Sequence, residues 1–176
     1  NFEDKRVWWM LGLLAVPASL SAGEWSGYVT AETRVFESSP AHAGQEGGVS
    51  AALLFEPEFY QEWDAGDTAL EFTPFARIDS HDEERDLFDI RELSMLKVMG
   101  DWEVRAGISK VFWGVAESQH LVDTINQTDL VASPDQEDKL GQPMVQVVNV
   151  SPIGDFSLFV LPYFRERTFP GEEGRL

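Results

Sequence analysis

The chain has 176 residues, with 13 Lys and Arg against 31 Asp and Glu, for a formal net charge of −18. A chain this acidic repels phosphate and has no basic stripe to offset it, so nucleic acid is excluded as a partner. The absence of cysteine excludes a disulfide framework, a thiolate nucleophile and thiolate zinc sites. Six Trp, twelve Phe and three Tyr supply enough apolar surface for an ordered fold.

The first residues have the order of a secretory signal. Lys5 and Arg6 precede an apolar run from Val7 to Val16, Pro17 breaks the run, and Ala18, Ser19, Ser21, Ala22 and Gly23 are small. The run is shorter than the ~20 residues that a spanning helix needs. Residues 1–22 are therefore expected to be a signal peptide and residues 23–176 the exported part. Export without cysteine fits a bacterial envelope protein. Asn1 and Leu176 both read as cut ends, so a fragment of a larger protein is expected.

Beyond residue 23 the apolar residues recur with period two, between turn signals. The pattern predicts strands over 25–36, 48–60, 68–79, 87–99, 102–113, 144–150 and 156–164. In the third, Leu70, Phe72, Pro74, Ala76 and Ile78 share one face, and Glu71, Thr73, Arg77 and Asp79 share the other. Pro57 and Pro74 each remove a ladder donor inside a strand-like run. Arg91-Glu92 breaks the alternation of the fourth strand, which predicts a slip or a bulge.

Short and long connections alternate. Segments 62–67, 100–101 and 151–155 are short; 37–47 and 114–143 are long; 80–85 is intermediate and highly charged. Tight turns on one side and long loops on the other are the rhythm of an outer-membrane barrel. Runs of roughly ten residues also match a tilted membrane strand of ~9–11. Trp25, Trp63, Trp102 and Phe156 fall near the expected periplasmic ends, and Phe36, Phe112, Trp113, Tyr163 and Phe164 near the outer ends. Strand propensity accounts for the number of these rings, but not for belts at both ends. The expected fold is all-β: an antiparallel up-and-down transmembrane β-barrel, present as an incomplete N-terminal portion of about seven strands.

In such a barrel the polar side chains must face the lumen, because a lipid-facing Arg or Lys at mid-bilayer costs ~2–4 kcal/mol. The lumen candidates are Glu32, Arg34, Glu71, Arg77, Asp79, Arg91, Glu92, Glu103 and Arg105, with Glu56 and Glu58 beside them. The bland alternative is the solvated face of a soluble sandwich.

Segment 114–143 is longer than an ordinary connection, and such loops are functional or disordered. It is expected to fold inward and narrow the pore, with a short helix over 118–125. The candidates are Trp113, Gly114, Glu117, His120, Asp123, Asn126 and Asp129, with Asn126 bracing the loop through backbone hydrogen bonds. A calcium site is the rival reading, but the spacing is not that of an EF-hand. Glu117 and His120 lack a third zinc ligand. Ser118, His120 and Asp123 do not sit on a nucleophile elbow. His42 and His81 are expected to be solvent-exposed loop residues. No metal, no cofactor and no enzymatic activity are expected.

Asp89-Ile90-Arg91-Glu92-Leu93, Trp102-Glu103-Val104-Arg105-Ala106-Gly107, Trp113-Gly114, and Asp123 with Asn126 and Asp129 follow one another in order. Leu161-Pro162-Tyr163-Phe164 and Phe169-Pro170 come after them. This series resembles a porin-like outer-membrane β-barrel family of Gram-negative bacteria, related to alginate-export-type barrels. The resemblance covers residues 87–170. It implies transport across the cell outer membrane, with outer-membrane lipids and a small solute as partners.

The expected function is therefore a channel for small or acidic solutes, narrowed by an inward-folded loop. The alternatives are an outer-membrane hydrolase built on a barrel, and an exported soluble β-protein that binds saccharides.

Overall fold

A computed structural model describes residues 9–11, 18–20, 23–45, 47–112, 124–133 and 137–173. The fold is all-β, with no α-helix among the described residues. Two three-residue strands, β1 (Trp9–Leu11) and β2 (Ala18–Leu20), pair with the long strand β3 (Gly23–Val35). β4 (Val49–Trp63), β5 (Thr68–Asp79), β6 (Leu87–Met99), β7 (Trp102–Ser109), β8 (Gln142–Ser151) and β9 (Gly154–Val160) follow in chain order.

The seven long strands β3 to β9 form one up-and-down antiparallel sheet, each paired with its neighbours in sequence. The sheet is open: β9 is hydrogen-bonded on one side only. Closure, expected of a barrel, is thus not a feature of these strands by themselves. β1 and β2, inside the expected signal peptide, lie along the other side of β3.

Alternation sets the strand bounds where turn signals flank it, and β5 and β6 begin and end where the pattern predicts. β7 ends earlier, at Ser109, because the next donors are taken by the long loop. β9 starts earlier and ends at Val160, since residues 161–164 leave the ladder.

Both flagged prolines lie within strands. β4 and β5 pair at Phe55↔Ala76 and again at Phe59↔Phe72, and the register between sets Pro57 opposite Pro74. Neither proline has an N–H to donate, so the ladder lapses between those pairs. On the next strand the register shifts: Thr73 pairs with Glu92 and Pro74 with Ile90, leaving Arg91 as the extra residue of a bulge. On the other side, Gly27 pairs with Pro57 at φ 129, and a side chain there would strike the β4 backbone. These irregularities share one band of the sheet, the means by which sheets are curved.

Candidate functional site

The register divides the sheet into two unlike faces. One face carries Val29, Leu53, Phe55, Phe72, Ile78, Phe88, Leu93, Met95, Val145 and Leu158 along the strands. Most of these side chains are exposed, Phe88 to 79%. Lys97 is the one charged residue on this face among the described strand positions. It sits at the short-turn end, where its Nζ meets Asp64 Oδ2 at 2.8 Å and Thr68 Oγ1 at 2.7 Å. That pair and the Thr68 hydroxyl hold the Asp64 carboxyl below its ordinary value.

Trp25, Trp63, Trp102 and Phe156 stand exposed on the apolar face at the short-turn end. Trp25 stacks at a tilt on Phe59, with ring centroids 4.9 Å apart. Phe112, Tyr163 and Phe164 are exposed at the long-loop end, and Phe36 is half-buried there.

The other face carries the strand charges, and loops cover it toward the long-loop end. Its buried side chains include Arg34, Arg77, Arg85, Arg91, Asp129 and Gln142, whereas the buried apolar set is small, with Phe75, Val131, Leu140 and Met144 as its large members. The enclosed side chains among the described residues are thus mostly polar, where a domain core is ordinarily apolar.

Glu32, Arg34, Arg77 and Asp79, nominated separately by the sequence, come together. Arg77 Nη1 donates to Glu32 Oε2 at 3.0 Å, and Nη2 donates to Asp79 Oδ2 at 2.9 Å. Glu32 also pairs with Arg34. Ala52 on β4 separates the two strands that carry these groups: it pairs with Glu32 on one side and with Asp79 on the other. A methyl side chain there lets the long charged groups meet above it. Arg85, from the single-turn 3-10 helix Glu83–Arg85, joins at Asp79 Oδ2 with its Nε 3.3 Å away.

A second group forms at the β6 bulge. Arg91 lies over the Phe75 ring, 4.0 Å from its centroid. Its Nη2 pairs with Asp129, and its Nη1 is 3.6 Å from Asp89. Asp89 in turn receives Arg165 Nη2 at 2.7 Å.

Asp129 belongs to the long loop, and the described part of that loop lies against the polar face. Asp129 Oδ1 accepts from the N–H groups of Val131 and Ala132, each at 2.9 Å. Asn126 braces the segment with three hydrogen bonds: Nδ2 donates to the carbonyls of Ser109 and Leu140, and Oδ1 accepts from the Val111 N–H. Gly141 packs so closely on the Arg91 carbonyl that a side chain there would collide with it.

Segment 161–173 returns over the same side. Gln142 accepts from the Arg165 N–H and donates to the Tyr163 carbonyl. Arg165 Nη1 donates to the Gly141 carbonyl at 2.9 Å. The Gly171 N–H bonds to both carboxylate oxygens of Asp82. Burial, with Glu84 beside it, pushes the Asp82 carboxyl above its ordinary value against the pull of the Gly171 bond and of Arg85.

Glu71 and Arg105 form a third group nearer the short turns, 2.9 Å apart, with Ser94 Oγ donating to Glu71. Glu58 accepts from Ser26 Oγ. Glu92 and Glu103 are half-buried on this face and belong to none of the three groups.

Trp113, Gly114, Glu117, His120 and Asp123 lie outside the described residues, as do Ser118 and most of the expected 118–125 helix. Of its remainder, Thr124 and Ile125 are not helical. Among the described residues, no group of three His, Asp or Glu is placed to hold a metal ion. His42 is exposed, but His81 is half-buried, its Nδ1 2.7 Å from Ser80 Oγ, because the loop folds back on β5.

Sequence reasoning did not nominate Arg85, Asp89, Arg165 and Gln142. Asp89 alternates with Arg91 and was open to the same reading. The other three act through loop folding, which has no period.

The class these features define is an all-β up-and-down sheet, polar and loop-covered on one side and apolar and open on the other. Comparison with family models, with curated proteins and with solved structures finds no match to this chain.

Proposed function

We propose that β3 to β9 are part of the wall of a porin-like outer-membrane barrel that passes small or acidic solutes, and that the long loop 114–143 narrows its lumen. The observation that carries this reading is the inverted distribution of side chains. On seven consecutive strands every charged residue but Lys97 is directed to one face, where Arg34, Arg77 and Arg91 are buried, while the apolar side chains of the other face stand open and Lys97 is held at one rim. A soluble sheet with that face open would associate or aggregate, whereas hydrocarbon matches it.

Arg91–Asp129 and the Asn126 hydrogen bonds hold the loop against the wall, as a fixed constriction requires.

Planar-bilayer recording tests the proposal. The full-length gene product should give discrete conductance steps, and deletion of residues 118–138 should enlarge them. No steps from folded, inserted protein would overturn the channel. Unchanged steps after the deletion would overturn the constriction alone.

A further inference from the structure

Arg34, Glu32, Arg77, Asp79 and Arg85 form a chain of alternating sign that runs from β3 across to the 80–86 loop. At its far end the acceptors run out. Arg85 is 2% exposed, its Nη2 has no hydrogen-bond partner among the described residues, and its Nε stands beside Asp79 without making a hydrogen bond. Arg77, enclosed completely, also has an Nε without a partner among the described residues.

The nearby carboxylates are committed elsewhere. Asp79 Oδ2 accepts from Arg77, and its Oδ1 accepts from the His81 N–H. Asp86 accepts from the Asp79 N–H. Asp82 accepts from Gly171 and Glu84.

Buried guanidinium donors without acceptors are costly, and the cost is removed when an acceptor is supplied. Burial together with the charges of Arg77 and Arg34 draws Arg85 down to about 10, so it still carries its charge at neutral pH.

We infer that Arg85 and Arg77, two guanidiniums sharing one oxygen of Asp79, bind a small monovalent anion of halide size beneath the 80–86 loop. The anion supplies the acceptor that no described side chain provides, and its charge offsets the cationic end of the chain. The site is separate from the constriction, and it stands whether or not the sheet closes into a barrel.

The test uses the full chain in whichever medium folds it, detergent or plain buffer. Thermal midpoints are compared in sodium chloride and in sodium gluconate at equal ionic strength. Chloride should raise the midpoint by about 2–4 °C, saturating with concentration. Arg85→Met should abolish the difference, and Arg85→Lys should keep part of it. Equal midpoints in the two salts, or a difference undiminished in R85M, would overturn the site. Should R85M fail to fold, bromide soaked into crystals of the parent decides. Anomalous scattering within hydrogen-bond distance of Arg85 Nη2 supports the site, and its absence at saturating bromide refutes it.

Discussion

Arg91, the extra residue of the β6 bulge, forms an ion pair with Asp129, a loop residue whose side chain is wholly enclosed. The bulge and the loop are therefore one device: the bulge adds a residue to the strand, and the added residue holds the loop on the polar face. Removing Arg91 leaves Asp129 as a buried charge without a cation, and removing the Asp129 charge leaves Arg91 with Asp89 alone, 3.6 Å away. Asp129→Asn or Arg91→Met should each destabilise by about 3–5 kcal/mol. The double variant should lose less than the sum of the two. Urea midpoints of the four proteins measure the coupling, and additive losses would show that the pair is not coupled.

Asn126 ties three backbone groups from two segments, and it is nearly fully buried. Asn126→Ala leaves the Val111 N–H and two carbonyls short of a partner, at about 1–3 kcal/mol for each one left unsatisfied. The strands do not depend on it. Limited proteolysis should therefore cut Asn126→Ala within residues 127–141 faster than the parent, while the β-sheet circular dichroism stays unchanged.

Asp82 supplies a pH dependence of known sign. Its folded value is raised above the ordinary 3.8, chiefly by burial, so the folded state holds the proton more tightly than the unfolded chain. That contribution is complete below 3.8 and is lost as pH rises through the folded value. Stability of the parent relative to Asp82→Asn should therefore decline with pH across this window. Unfolding midpoints of both proteins at several pH values measure it, and a rising difference would contradict the assignment.

On the apolar face, position matters more than composition. Phe55 lies in the middle span of β4, whereas Thr33 lies near the long-loop end of β3. An arginine at Phe55 should cost about 2–4 kcal/mol in a bilayer, and one at Thr33 about 0–1. Equal costs for the two in lipid-folded protein would contradict a membrane location for this face.

The parts of this structure that were legible in the sequence are those governed by the pleat. Alternation placed Glu71, Arg77 and Asp79 on one face of β5 and Phe72 and Ile78 on the other. The adjacent charges Arg91-Glu92, which break that alternation, marked the bulge. The meeting of Glu32 with Arg77 was not legible, because it depends on the register that sets Ala52 between their strands. The end of β7 was hidden for a similar reason. Periodicity continues to Trp113, but the N–H of Val111 goes to Asn126, fifteen residues later. Arg85 and Arg165 reach the polar face from loops, whose paths follow from side-chain bonding.

A chain without cysteine permits single-cysteine spin labelling with no background, and a scan of β5 tests the two-faced sheet most directly. In reconstituted protein, labels at Leu70, Phe72, Ala76 and Ile78 should collide with lipid-dissolved oxygen. Labels at Glu71, Thr73, Arg77 and Asp79 should be shielded from it, giving a period of two along the strand. Ready access of an aqueous nickel chelate to the even-numbered set, with no excess of oxygen there, would contradict a hydrocarbon-facing surface.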